Sequence, residues 1–380
     1  MKAVRRPRPS TAASEPATAN RASLGRDGGV GGIALRVGPL SARCRPRVLL
    51  VPCVVVLALI TAFIVGVAHG DVPIPALDVV RILLGGGNAV DRMIVIEFRL
   101  PRVVVGAAVG AALGLSGAIV QGIARNPLAS PEILGVTSGA AVGAVSVIVL
   151  GGSYGAVGGH LARIGIPSAA IVGGLTAAAA VYLLALRGGL SGNRVLLVGI
   201  GIQALLSSLV SWLLIKASIV DAGRAIVWLT GSLNAATWDD AVAVTPALAL
   251  ALPAMSMLSF PFGALNFDDD TAGALGVRLD AARSMLLLTA VVLTATATAA
   301  AGPIAFVALV SPQLALRLLR TATPPLLTSA LLGAALTIWA DVLGRTAFGD
   351  KQLPVGILTA ALGAPYLMYL LVRSGKTHGR

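Results

Sequence analysis

The sequence predicts an all-α fold, a polytopic membrane bundle of about ten transmembrane helices, and three observations carry that expectation. Hydrophobic residues make up 56% of the 380 residues and charged residues only 12%, with a mean hydropathy of +0.89. Soluble domains are roughly 45–50% apolar and about 25% charged, so a water-soluble globule is excluded. The apolar residues fall in runs that approach or exceed the ~20 residues a helix needs to cross hydrocarbon, punctuated by Pro, Gly and charge. Within the runs, small residues recur at four-residue spacing: Gly106, Gly110 and Gly114, then Gly139 and Gly143. Such spacing lets helix backbones approach closely where no hydrophobic force drives them together.

Residues 1–47 stand apart. They are rich in Arg, Pro, Ser, Ala and Gly, contain no aromatic residue and hold ten of the 29 Lys and Arg. A segment of this kind cannot bury enough apolar surface to fold alone, so it is expected to be a disordered basic tail. Its share of the +13 net charge also removes the nucleic-acid reading of that charge. Arg43, Arg45 and Arg47 lead directly into the uncharged run 48–68, which is too long for the apolar region of a signal peptide and reads as the first span. The other spans are expected at 102–123, 133–150, 167–186, 195–215, 241–260, 284–301, 303–319, 325–348 and 355–372. The bundle thus occupies 48–373, and 374–380 is a short C-terminal tail.

Local signals mark several starts. Ser130-Pro131-Glu132 offers an N-cap, a first-turn proline and an early acid before the third span. Thr237-Trp238-Asp239-Asp240 has capping-box spacing before the sixth. Pro101 is expected to keep Leu100 out of regular helix, so that the second span starts at Arg102. Only Gly302-Pro303 separates the seventh span from the eighth.

Ten spans place both termini on one side, and the basic tail makes that side cytoplasmic, in a multi-pass protein of the plasma or inner membrane. Outside the tail, the loops of that side carry ten Lys or Arg and the external loops nine, so the orientation rests on the tail. The external arginines Arg99, Arg102 and Arg345 therefore need a reason of their own.

Several patterns carry no chemistry. Gly199-x-Gly201-x-x-Ala204 has the spacing of a dinucleotide fingerprint but lies inside an apolar span, with no preceding strand. Ser374-Gly375-Lys376-Thr377 resembles the end of a phosphate loop, yet Leu370 stands where its first glycine should be. Cys44 and Cys53 read as incidental small residues, and His69, His160 and His378 are scattered. No catalytic set, metal site or cofactor site is expected. Charges beside the spans are more informative, because they are costly in lipid. Asp341 and Arg345 sit four apart, the spacing of an intrahelical pair. Asp268-Asp269-Asp270 forms an acidic run after the sixth span.

From Glu97 to the C-terminus the chain resembles the FecCD-type permeases, which import iron–siderophore, haem and cobalamin complexes. The resemblance rests on Arg99-Leu100-Pro101-Arg102, on Ser116-Gly117-Ala118 with Gln121-Gly122, on Arg125-Asn126-Pro127-Leu128-Ala129, and on Gly135-Val136-Thr137-Ser138-Gly139-Ala140. It continues through Trp228-Leu229-Thr230-Gly231-Ser232, Leu275-Gly276-Val277, Gly302-Pro303-Ile304-Ala305-Phe306-Val307 and Leu353-Pro354-Val355-Gly356, in the family's order. The resemblance implies a permease paired with a second permease subunit, either a related chain, which is favoured, or a copy of itself. It implies two ATPase subunits on the cytoplasmic face, where ATP hydrolysis would reside, and a substrate-binding protein on the external face. The family's coupling element maps onto 265–283, with Thr271, Gly273, Ala274, Gly276, Val277 and Arg278 expected at the ATPase contact. Arg99, Arg102 and Arg345 match arginines that receive acids of the docked binding protein, and their replacement is expected to leave the bundle intact. Ser138, Gly139, Gln203, Ser207 and Ser208 are candidates for the pathway lining.

One departure is Pro312-Gln313, where many family members have Pro-His. The wording Ile304-Ala305-Phe306-Val307-Ala308-Leu309 followed by Pro-Gln looks like the enterobactin-type branch of actinobacteria, which favours a catecholate siderophore. Haem or cobalamin import is the alternative within the family. An ion-coupled secondary transporter would need carboxylates at mid-membrane and no coupling element, and an intramembrane enzyme would need a catalytic cluster.

Overall fold

The computed structural model describes residues 33–37, 40–44, 46–70, 72–151, 160–186, 192–349 and 351–375. The tail before residue 33, the loop after the third span and residues 376–380 lie outside these, including Lys376, Thr377 and His378. The chain divides into two units, Met1–Pro46 and Arg47–Arg380. Within the first, β1 (Ile33–Val37) pairs antiparallel with β2 (Leu40–Cys44) in a two-stranded ribbon that the tail's composition did not suggest.

The second unit is all-α. The first span is α1 (Pro46–Ala68), followed by the short helices α2 (Ala76–Leu83) and α3 (Ala89–Met93). A π-helical turn, Ile94–Arg99, joins α3 to α4 (Leu100–Ala124). After a 3-10 turn at Pro131–Leu134 come α5 (Val136–Leu150), α6 (His160–Leu186), α7 (Gly192–Lys216) and α8 (Ile219–Leu229). The second half holds α9 (Trp238–Ala264), α10 (Asp269–Ala274), α11 (Leu279–Ala301), α12 (Val307–Leu319), α13 (Leu326–Thr346) and α14 (Val355–Gly375). Among the described residues, seven helices are long and apolar enough to cross a membrane, and α5, α12 and α14 carry shorter apolar stretches. Together they account for the ten spans expected from the sequence.

α4 is the centre of the bundle and is buried from Val103 to Gly122 along most of its faces. Its glycines do what the four-residue spacing suggested. A Cβ at Gly110 would overlap the Gly333 carbonyl, one at Gly114 the Ser329 carbonyl, and one at Gly117 the Ala308 carbonyl. α4 therefore lies backbone to backbone against antiparallel α13 and parallel α12. Val105, Val109, Leu113, Leu115 and Ile119 fill the space between these contacts with Leu286, Leu293 and Val307. α5 and α6 repeat the device, with Gly139 against the Gly173 carbonyl and Gly143 against the Ala169 carbonyl.

Among the boundaries that differ from the sequence reading, three have a local backbone cause. Leu100 is helical, because the chain enters α4 through a π turn instead of starting at Arg102. Pro101 has no N–H to give to the turn behind it, and the wider π spacing accommodates the missing bond. The third span starts at Val136 rather than 133, since Gly135 at φ 73° interrupts the 3-10 turn before it. The seventh and eighth spans are separated by a real break, 302–306, bounded by Gly302 at φ 72° and Phe306 at φ 67°. The capping box before α9 is as expected: the Asp240 carboxylate accepts from the Thr237 N–H at 2.8 Å and the Thr237 hydroxyl at 2.9 Å.

The glycine contacts generate a contrast. Gly117→Leu should separate α4 from α12 at an overpacking cost of ~1–3 kcal/mol or more, lowering the monodisperse yield and the melting temperature in detergent. Gly201→Ala should change neither, because an added Cβ there meets nothing within 4 Å.

Candidate functional site

The polar groups gather at the two ends of α4. At the Leu100 end, Asp341 of α13 is 3% exposed and lies between two arginines. Arg102 grips it with two nitrogens, Nε at 3.0 and 3.1 Å and Nη2 at 2.7 Å, and Arg345 Nε approaches it at 3.2 Å. The (i, i+4) pair expected from the sequence is present, enlarged to a three-residue cluster.

Arg345 also terminates α1, together with Arg99. Arg345 donates to the Gly66 and His69 carbonyls at 3.1 Å each. Arg99 donates to Val67 at 3.0 Å, to Ala68 at 2.9 Å and also to Val72. The last carbonyls of a helix lack intrahelical partners and carry partial negative charge, so two guanidinium groups suit them. The π turn brings Arg99 round to this position, and the Trp238 indole donates to its Ile96 carbonyl at 3.2 Å.

Above the cluster opens a cavity of about 1040 Å³. Arg99, Arg102 and Arg345 all line it, with Glu97, Trp238 and Asp239. The structure thus brings the three sequence-selected arginines to one cavity. It also corrects the expectation that their replacement leaves the bundle intact, because side-chain exposure is only 11% for Arg102 and 8% for Arg345. They are walls of the cavity, already committed to Asp341 and to α1.

At the opposite end of α4, Arg125 caps the helix in a left-handed conformation at φ 48°. Its guanidinium donates to the Leu265 carbonyl at 2.7 Å, to the Phe267 carbonyl and to Asp269 at 3.1 Å. Arg283 of α11 donates to the same carboxylate at 2.8 Å. Asp268 caps α10 by accepting from the Thr271 hydroxyl at 2.6 Å and its N–H at 3.3 Å. These bonds hold the carboxyls of Asp268 and Asp269 below the usual range, through Thr271 for the first and mainly Arg283 for the second. Thr271, Gly273, Ala274, Gly276 and Arg278 are exposed on the resulting loop and Val277 is half-buried. Sequence reasoning missed Arg125 and Arg283 as anchors. The only signal was the position of Arg125 in a family-like string.

Of the pathway candidates, Ser138 and Gln203 are half-buried and Ser207 and Ser208 exposed, whereas Gly139 is buried against α6 and is withdrawn from that set. Gln313, the residue that departs from the common His, donates to Gln121 Oε1 at 2.6 Å, and Gln121 donates to the Leu309 carbonyl at 3.1 Å. It ties α12 to α4. Gly199 to Ala204 lie within α7, so the dinucleotide-like spacing is helical. Among the described residues, no group of three His, Cys, Asp or Glu could hold a metal ion.

A model of the FecCD transport family matches residues 57–373, which include both ends of α4 and all of the bundle except the first half of α1 and the end of α14. The chain belongs to the FecCD transport family. It is 41% identical over 331 residues to the ferric enterobactin transport system permease protein FepG of Escherichia coli, covering 87% of this chain and 98% of that one. It is 38% identical to the achromobactin transport system permease protein CbrC of Dickeya dadantii (83% and 89% covered) and to the cobalamin import system permease protein BtuC of Halobacterium salinarum (81% and 81%). Among solved structures, it superposes with a TM-score of 0.74 at 28% identity on an inward-facing metal-chelate type ABC transporter, covering 85% of this chain and 99% of that one. This family is one of membrane-embedded transport subunits, and the chain is a multi-pass membrane protein.

The Asp341 cluster predicts a double-mutant result. Arg102→Leu strips a buried carboxylate of its two-nitrogen partner and should cost about 3–5 kcal/mol, read as a lower melting temperature in detergent. Arg102→Leu with Asp341→Leu should recover most of that loss. Equal destabilisation in both variants would show that the pair is not what holds this end together.

Proposed function

We propose that this chain is the permease subunit of an ATP-driven importer of ferric siderophore complexes, with a catecholate of the enterobactin class as substrate. The observation that carries this is the 41% identity to FepG over 87% of this chain and 98% of that one. The Leu100 end of α4 faces outward and the Arg125 end the cytoplasm, with both termini cytoplasmic. A siderophore complex is large and polar, so a pathway between two permease subunits accommodates it better than a pocket within one. A related second chain is the favoured partner, as in the two-permease systems the chain resembles. Haem and cobalamin are the alternative substrates, the latter supported by the halobacterial relative.

The cytoplasmic loop suits an ATPase contact. An added Cβ at Gly273 or Gly276 meets nothing within 4 Å, while Arg125 and Arg283 fix the frame of the loop. Gly276, at φ 81°, resists any side chain for conformational reasons alone, so Gly273 is the better probe. In cells making the whole transporter, uptake of a ferric catecholate should persist when the proton gradient is collapsed and ATP maintained, and stop when ATP is depleted. Gly273→Trp should abolish that uptake with normal membrane insertion. Gradient-dependent uptake, or normal uptake by Gly273→Trp, overturns the coupling assignment.

On the external side, the cavity walled by Arg99, Arg102 and Arg345 is the proposed seat of the binding protein's acidic side chains. Close charge pairs at an interface can couple by ~1.5–7 kcal/mol, so an acid entering this cavity would count. Because the arginines also hold the bundle, docking is best tested at the exposed rim residue Asn234. Asn234→Trp should weaken binding-protein affinity in nanodiscs at low salt by about tenfold, the loss of ~1.4 kcal/mol, without lowering the melting temperature. Unchanged affinity removes the docking assignment.

A further inference from the structure

α2 presents apolar residues in two opposite directions. At about 3.6 residues per turn, Leu77, Val80 and the C-cap Leu84 fall on one stripe, and Val79 and Ile82 on the face opposite. The inner pair is buried and shares one apolar cluster with Val67 and Ala68, the last residues of α1, and with Val95 of the π turn. The outer stripe is open: Leu77 is 84% exposed, Leu84 83%, and Val80 and Leu83 are exposed beside them. The charges of the helix, Asp78 and Arg81, lie together on one flank between the two faces.

The connection from α1 fixes the depth of this helix. Arg99 donates to the Val67, Ala68 and Val72 carbonyls, and the Ile74 N–H reaches back to the Ala68 carbonyl at 3.4 Å. The chain therefore folds back on the end of α1, and α2 starts at the level where the first span stops. α1 itself is exposed at Leu49, Val54, Leu57 and Ile60, the apolar side that a span turns to hydrocarbon. α2 is thus held at the membrane boundary, beside a lipid-facing span. A boundary offers three environments together: protein, acyl chains and water. The three sectors of α2 match them, with Val79 and Ile82 toward the bundle, Leu77, Val80 and Leu84 outward, and Asp78 with Arg81 on the polar flank. In water alone, an apolar stripe of this kind would stand without a partner.

We propose that α2 is a membrane-interface anchor, its Leu77, Val80 and Leu84 stripe set into the acyl-chain boundary of the leaflet at the Leu100 end of α4. An amphipathic helix is held at that depth by its buried apolar side chains, and the Arg81 guanidinium on the polar flank suits a lipid phosphate. Through the cluster shared with Val95, the anchor braces the π turn that carries Arg99 to the outer cavity. The inference concerns lipid and goes beyond the transport reading, so it does not depend on what the protein carries.

The test uses the assembled transporter in nanodiscs of phosphatidylethanolamine and phosphatidylglycerol. In a Cys44→Ser, Cys53→Ser background, Leu77→Cys, Leu84→Cys or Asp78→Cys is added singly and labelled with an environment-sensitive fluorophore. Quenching is then measured with a nitroxide-bearing lipid and with aqueous iodide. The labels at Leu77→Cys and Leu84→Cys should be quenched by the lipid nitroxide and lose iodide quenching, and the label at Asp78→Cys should show the reverse. Iodide quenching at all three positions alike overturns the anchor. Shielding of the stripe from both quenchers, or shielding from iodide only after the binding protein is added, assigns it to a protein neighbour and also overturns the anchor. The brace is read separately by amide hydrogen exchange over peptides spanning 94–99. Leu77→Glu with Leu84→Glu, both at exposed positions, should raise exchange there, and unchanged exchange overturns the brace. None of these readouts uses transport, so the anchor and the importer reading fail separately.

Discussion

Helices surrounded by hydrocarbon gain little hydrophobic energy from touching one another, so contact has to come from close backbone approach and from polar bonds. α4 meets this constraint with glycines facing α13 and α12, and the rest of the bundle is arranged around those contacts. The approach is so close that any side chain at Gly110, Gly114 or Gly117 would strike a carbonyl oxygen. α5 and α6 solve the same problem with Gly139, Gly143 and Gly173. Fixing these backbones in contact is what gives the polar groups at either end of α4 a rigid frame.

The second half of the constraint concerns groups that water cannot reach. Asp341 is held by Arg102 and Arg345, and the last carbonyls of α1 by Arg345 and Arg99. Deeper in, Ser116 donates to the Ala290 carbonyl at 2.8 Å, and Gln313 of α12 donates to Gln121 Oε1 of α4, whose amide donates in turn to the Leu309 carbonyl. At the opposite end Arg125 and Arg283 converge on Asp269. Structural and functional demands meet in the same side chains. The arginines that wall the outer cavity are those that keep the first span attached, which is why simple charge reversal there would confound docking with folding.

Most of the bundle was legible because span length and composition are imposed by the membrane itself. The ten apolar runs correspond to the helices of the structure, and the Thr237–Asp240 box and the Asp341–Arg345 pair followed from helical spacing. The departures sit where one local rule was applied without its neighbours. Pro101 suggested an interrupted start, but a π turn absorbed the missing bond and carried the helix back to Ile94. Gly139 looked like a small residue at an opening, yet small residues serve close packing as well, and only its contact with Gly173 decides between the two. Arg125 and Arg283 are more than 150 residues apart in sequence, and nothing local says that they share a carboxylate.

By itself the sequence determined that the chain is a membrane-embedded helical bundle, roughly where each span runs, and through its strings of Gly, Pro and Arg which family it resembles. These properties depend on composition, periodicity and turn chemistry, which act over a few residues. Tertiary structure decided which glycines are packing surfaces, and that Asp341 takes two arginines rather than one. Those outcomes depend on the register between helices distant in sequence. Register is set by many weak contacts summed over a whole interface, and no single stretch of the chain contains that sum.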